Sequence, residues 1–482
     1  MQLKNFKKIS SFFFILAIFC LAFFIPRYFE NNTYDAMEDE LLSIDFNTIY
    51  STEELLKAPD KAHPPLWYVL MEIPTKILGI DHGIFYYRLI QSLILFSFSI
   101  FSFFYFQKKI PSKTVYVFFS LFLSNIYLIH LTSQHRMYAM VIGIAIFYSL
   151  YWYQLIKINK DQSFKSFVLL GFIAALGFLT NYSIVWLLPI WPLSYLIYRR
   201  DGYALKRLLV FVATFLLLIS WFIPTFISQT TSFANQSNIT LNLINIAKLF
   251  GNYFGILPIF DLKRVNFLFL PFIILLYILF FWQKNRKKSS YFKAILISTL
   301  LMFFCFLVVV KITGSRLFYT RVSIAIIMAF YVLIADSFNK VKYSKKIVCL
   351  LIIIQLSQFI YYFFPYRRFS IGYDLFNYRL NPIGHFREFP FKTGSCLLAV
   401  PGWNKLAAKY YLRDKVAILS LEEFSPDNDF RLKKCSKIYV LDQISVDRSE
   451  VNWQLVKVRN MSYKLMPIKI YKNQVLYSLG KI

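Results

Sequence analysis

The sequence predicts an α-helical polytopic membrane protein with a small external α/β domain at its C-terminal end. Three observations lead there. Of 482 residues, 57% are apolar and the mean hydropathy is +0.51, far too oily for a soluble chain of this length. Apolar runs long enough to cross a bilayer recur along the chain, separated by short loops rich in Lys and Arg. From about residue 365 the pattern changes to short strand-like runs.

The first apolar run, Ile9 to Phe24, follows Lys4, Lys7 and Lys8 and continues into Ile25-Pro26-Arg27-Tyr28 without a small-residue cleavage site. It is expected to be an uncleaved anchor with its amino terminus in the cytoplasm. The expected spans are 9–29, 85–106, 114–131, 136–156, 165–180, 182–198, 207–228, 266–283, 292–312, 317–337 and 345–364. Segment 64–80 is expected to lie in the interface instead. It carries Glu72 and Lys76 around Pro74, and charges at the bilayer centre are costly.

Loop charge tests that choice. If 64–80 does not cross, the basic runs at 107–113, 157–165, 199–207, 284–293 and 340–346 all face the cytoplasm; if it does cross, all are external. The first arrangement obeys the positive-inside rule. It gives about eleven spans, a transmembrane module over 1–364 with an external loop at 30–84, and an external domain over 365–482. The basic runs are read as topology signals in contact with membrane lipid, and no nucleic-acid partner is expected.

Within 365–482, strands are expected at 396–400, 416–420 and 437–441, with a helix at 403–411. Cys396 and Cys435 open two of those strands, and either a disulfide or two separate thiols fits their positions; Cys20, Cys305 and Cys349 fall in spans.

Nine of the chain's 25 carboxylates fall between Glu30 and Asp60, in a protein of net charge +29. Asp35, Glu38, Asp39 and Glu40 are therefore candidates for chemistry. On this topology they share the external side with His63-Pro64-Pro65, Arg88, Gln134-His135-Arg136-Met137-Tyr138, Asn181-Tyr182 and Thr313-Gly314-Ser315-Arg316. Taken singly, an interfacial Arg or Tyr is usually an anchor, and Asn181 suits a tight turn.

Taken in order, these pieces resemble a family. An acidic pair in a long first external loop, then His63-Pro64-Pro65-Leu66-Trp67-Tyr68, Arg88-Leu89 and Arg136-Met137-Tyr138, is similar to the bacterial membrane glycosyltransferases of the GT-C superfamily. The nearest groups are the protein O-mannosyltransferase-like and aminoarabinose-transferase-like enzymes, and the resemblance covers roughly residues 1 to 340. It implies a GT-C type fold and a sugar donor linked through phosphate to a polyprenol. The acceptor would be an envelope glycan, lipid or protein.

The resemblance also implies roles. The family's catalytic carboxylate falls on Asp39, with Glu40 as companion, and its His-Pro-Pro element on His63, Pro64 and Pro65. The family's second acidic position is occupied by Gln134, while Arg136 and Tyr138 match, so a metal-dependent mechanism is disfavoured and no metal or other cofactor is expected. A late cation near an external helix end falls on Arg316 or Arg321, with Lys311 as a substitute. The sequence carries no Gly-x-Gly-x-x-Gly after a strand, which argues against a nucleotide-sugar donor. The competing class is a transporter or flippase of a lipid-linked precursor, which would place its ionisable groups nearer the bilayer midplane.

Overall fold

The protein is described by a computed structural model covering residues 16–28, 38–57, 63–78, 84–158, 163–199, 202–233, 290–313 and 323–338. In the C-terminal region it covers 386, 389–400, 408, 411–412, 414–419, 435–443, 463–471 and 474–481. The chain divides into two compact units. One comprises 1–31, 50–73 and 85–372, and the other 32–49, 74–84 and 373–482. The expected spans at 266–283 and 345–364 lie outside the described residues, as do Arg316 and Arg321.

The helices are α1 (Leu16–Tyr28), α2 (Glu38–Ile49), α3 (Thr52–Leu56), α4 (Leu66–Leu78), α5 (Ile84–Gln107), α6 (Ser112–Ser124), α7 (Ile126–Ser133) and α8 (Tyr138–Ile158). They continue with α9 (Phe164–Thr180), α10 (Ile190–Arg199), α11 (Gly202–Ile219), α12 (Ile223–Phe233), α13 (Ser290–Thr313) and α14 (Ile327–Phe338). Among the described residues four helical segments are long and apolar enough to cross a membrane: Ile84–Gln107, Tyr138–Lys157, Gly202–Gln229 and Ser290–Lys311.

Two expected spans take another form. Segment 114–131 is not one helix: the chain bends by 69° between α6 and α7. Asn125 causes the break, leaving helical geometry at φ −76° and ψ 107° while its Oδ1 accepts from Leu128 N at 2.9 Å and caps α7. Its Nδ2 donates to Tyr331 Oη on α14 at 2.6 Å, tying the break to a second helix. Segment 182–198 is also divided. A 3-10 turn at Tyr182–Trp186 precedes α10, whose 10 residues rise only about 15 Å by helical geometry. Pro189, which has no backbone N–H, stands directly before α10.

Packing in the helical unit follows small residues. A side chain at Gly143 of α8 would meet Phe98 of α5 at 2.8 Å, and one at Gly171 of α9 would meet the Phe211 carbonyl of α11 at 2.7 Å. Such close approach is how membrane helices gain dispersion contact when lipid is as apolar as their side chains. α8 is enclosed nearly all round, whereas α11 leaves Leu205, Leu209, Leu216 and Leu217 exposed along one face, as a lipid-facing helix would.

A buried ion pair crosses this core. Lys157 Nζ on α8 lies 2.6 Å from Asp336 Oδ1 on α14, and the hydroxyls of Tyr153 and Tyr291 also donate to that carboxylate. The carboxylate, only 2% exposed as a residue, is thus satisfied by three side chains from two helices, α8 and α13.

Ser51 and Glu54 form a reciprocal capping box that starts α3. The backbone N–H of Ser51, and then its hydroxyl, hold the Glu54 carboxyl below its usual range. Glu72 of α4 accepts from the Thr52 hydroxyl, so a residue that argued against a membrane crossing is buried with a partner.

The C-terminal domain holds a five-stranded sheet: β1 (Cys396–Val400), β2 (Ala417–Leu419), β3 (Ile438–Gln443), β4 (Tyr463–Tyr471) and β5 (Gln474–Lys481), in spatial order β2-β1-β3-β5-β4. β1 is parallel to β2 and to β3; β5 is antiparallel to β3 and β4. β4 and β5 were not expected from the sequence. Pro467 interrupts the alternation of β4 at an irregularity between Pro467 and Lys469, and Lys472-Asn473 lacks the glycine of a strong hairpin turn. A disulfide joins Cys396 to Cys435 with their Cα atoms 5.6 Å apart.

Candidate functional site

The site is built on the short helix α7 and the loop after it. Asn125 fixes one end of α7. Near the other, the Thr132 hydroxyl donates to Leu128 O at 2.6 Å and accepts from Arg27 Nη2 of α1 at 3.1 Å. Arg27 is 1% exposed; it lies 4.0 Å over the Phe23 ring and donates to Phe23 O. Gln134 then turns extended, with φ −68° and ψ 147°, and ends the helix. A tight contact from Arg136 N to Gln134 O at 2.8 Å compacts the loop before α8 begins at Tyr138.

Across from this loop, Pro64 and Pro65 lead into α4. Proline has no N–H to lose at a helix start, and Pro65 O accepts from Val69 N at 3.1 Å. These two rigid residues hold half-buried His63 at the mouth of α4. Arg136 Nη2 lies 2.8 Å from His63 Nε2. Because guanidinium can only donate, His63 Nε2 is the acceptor and the ring carries its proton on Nδ1. The contact fixes one arm of the Arg136 fork.

His135 points to the other side of the loop. Its ring lies 5.8 Å from Trp67 and 4.8 Å from Tyr87, and its Nδ1 is 3.3 Å from Gln91 Nε2, which also reaches Met71 Sδ. α4, α5 and the loop are thereby locked into one frame. Arg88, 2% exposed, sits one turn before Gln91 on α5. Gln134 is half-buried with its Nε2 3.1 Å from His130 Nε2.

The structure therefore joins His63 to Arg136, with Gln134 at the start of the same short loop and Tyr138 opening the helix that follows it. Asn181 Oδ1 accepts from Ser183 N at 2.8 Å and caps the 3-10 turn. Lys311 is exposed in the last turn of α13. Asp39 is the second residue of α2, with its side chain outside the described residues, and Glu40 is fully buried. Both belong to the second compact unit. Among the described residues no group of three His, Cys, Asp or Glu is placed to hold a metal ion.

Three guanidiniums, Arg27, Arg88 and Arg136, are buried in the helical unit within 4% exposure or less. Cations placed in so apolar a setting are costly, and each of the three has partners there.

Nearly all of the chain aligns with a solved structure. ArnT from Cupriavidus metallidurans in the apo state superposes with a TM-score of 0.58 at 10% identity, covering 97% of this chain and 98% of that one. The same protein bound to undecaprenyl phosphate gives 0.61 over the same shares. The chain shares the fold of this protein. No family model matches the sequence, and the search of curated proteins finds no match. At 10% identity the likeness is one of fold alone. Sequence reasoning missed Arg27, Asn125 and Gln91. Arg27 had a signal, as the one charge closing an otherwise apolar first helix, but it reads equally as an interfacial anchor.

Proposed function

We propose that the protein is an inverting membrane glycosyltransferase that moves a sugar from a polyprenyl-phosphate donor to an envelope glycan, lipid or protein. The observation that carries this reading is the end-to-end GT-C fold, shared with a protein solved with undecaprenyl phosphate bound. The buried Arg136 oriented by His63 supports it, because a guanidinium held in a fixed geometry suits recognition of a phosphate.

In this reading about eleven spans carry the site on the external face of a bacterial cytoplasmic membrane, with 1–364 as the catalytic module and 365–482 as an external domain. The disulfide favours that side, since such bonds persist in oxidising compartments.

Asp39 removes the proton from the acceptor hydroxyl as its oxygen attacks the anomeric carbon. The bond from that carbon to the phosphate oxygen breaks, and the lipid phosphate leaves as an anion. That phosphate needs no proton to depart, so one carboxylate suffices where glycoside hydrolysis uses two. Arg136, with Arg88 and one of Lys311, Arg316 or Arg321, stabilises the charge that develops. His63 holds Arg136, Glu40 supports Asp39, and Gln134 and Tyr138 line the sugar. A single displacement inverts the sugar configuration, and no metal takes part.

Comparing envelope glycans with and without the gene tests the reading. Loss of one sugar residue, restored by the native chain but not by Asp39→Asn, is expected. An unchanged glycan profile would count against it.

A further inference from the structure

Gln91 stands where an apolar residue would pack at lower cost. Leu89 and Ile90 precede it on α5, Leu93, Ile94 and Leu95 follow close after, and the residue has no exposed surface. Its carboxamide oxygen has no hydrogen-bond partner among the described residues, and a buried polar atom left so costs stability. Leu or Met at this place would carry no such cost. What glutamine adds over them lies at its nitrogen end. There Nε2 is 3.3 Å from His135 Nδ1 and 3.7 Å from Met71 Sδ. A thioether accepts and an amide nitrogen donates, so His135 Nδ1 is the acceptor and the imidazole carries its proton on Nε2.

Trp67 of α4 and Tyr87 of α5 pack on the same imidazole, with ring centroids 5.8 and 4.8 Å away. Each lies four residues before Met71 or Gln91 on its own helix, so each helix offers one face to His135. Packing encloses the ring, and the directional amide bond sets its rotation. His135 is also the corner of a turn, for Arg136 N donates to Gln134 O across it at 2.8 Å. In so short a span the direction of the His135 ring and the place of the next residue are set together. Arg136 is thus held at its far end by His63 and at its backbone by His135, whose orientation depends on the Gln91 amide.

We infer that Gln91 is a positioning residue for sugar transfer, setting the place of Arg136 through His135. The inference deepens the glycosyltransferase reading and rests on it for one point, that Arg136 meets the lipid phosphate. A misplacement of about 1 Å at a reacting centre costs up to about 100-fold in rate, so a contact two residues removed from the phosphate can govern turnover. The oxygen left without a partner is then a cost in stability kept for function.

Steady-state kinetics with a polyprenyl-phosphate sugar, paired with melting temperatures in detergent on the full-length chain, test this. Gln91→Met keeps length and apolar fit but has no donor, so melting should move by less than about 3 °C while kcat falls about tenfold or more. Combined with Arg136→Lys it should add less than about twofold, because a residue that acts through Arg136 loses its effect once the guanidinium is gone. His135→Phe removes the same bond from the other side and decides if Gln91→Met does not fold; with both changes the rate should match either alone. A full additive loss in the Arg136→Lys background, an unchanged kcat, or a rate that falls only in step with melting temperature overturns the inference. A native chain that transfers no sugar removes the transferase reading and this inference with it, whereas native transfer with an unaffected Gln91→Met removes this inference alone.

Discussion

Arg136 donates from Nη2 to His63 Nε2 across 2.8 Å, joining two segments 73 residues apart in the chain. The bond orients a buried guanidinium through a neutral partner. Replacing Arg136 by Lys keeps charge but loses the fork, and should cut transfer about 10- to 100-fold, as expected for a charge-assisted hydrogen bond. His63→Ala should lose less, mainly in donor KM, because it frees the guanidinium without removing it. Steady-state kinetics with a polyprenyl-phosphate sugar would show the split.

The Lys157–Asp336 pair should matter for stability rather than chemistry. Removing one partner leaves a buried charge and should cost about 3–5 kcal/mol, as in other buried pairs. Replacing both, as Lys157→Met with Asp336→Leu, should recover most of that. Thermal unfolding in detergent checks it, and equal melting of single and double variants would refute the pairing.

Glycine contacts give a graded series. Gly171→Val would push a side chain against the Phe211 carbonyl oxygen at 2.7 Å and Thr214 at 2.8 Å, so α9 and α11 must part at about 1–3 kcal/mol. Gly202→Ala meets nothing within 4 Å and should be neutral. Melting temperatures that fail to rank the two in this order would contradict the packing described.

Cys396→Ser should destabilise the C-terminal domain by about 2–4 kcal/mol, the usual range for a native disulfide. Limited proteolysis should then cut within 370–482 faster than in the native chain. Among the described cysteines of the native protein, Cys20 and Cys305 should label under denaturing, non-reducing conditions and Cys396 and Cys435 should not.

Most of the helical architecture was legible because bilayer-crossing helices have a simple signature, a long apolar run between basic loops. Where tertiary bonds overrode that signature, the reading failed. A single Asn125 side chain, capping α7 and reaching Tyr331, bends what hydropathy reads as one helix. Proline and a 3-10 turn likewise divide 182–198. In the C-terminal domain, three strands showed as apolar runs, while β4 hid behind Pro467 and its partner strand went with it. At the site, His63 and Arg136 stood out by residue type and order. The bond between them did not, because it depends on how α4 and the loop before α8 meet. Arg27 and Asp336 were overlooked for the same reason, each made significant only by partners far away in the chain.

The central claim is that Asp39 activates the acceptor while Arg136 receives the lipid phosphate. Single-turnover transfer by purified Asp39→Asn, with undecaprenyl phosphate binding measured on the same sample, tests it most directly. The account predicts a rate lower by about 10² to 10⁴ with donor-lipid affinity unchanged. A variant that transfers sugar at the native rate would contradict it.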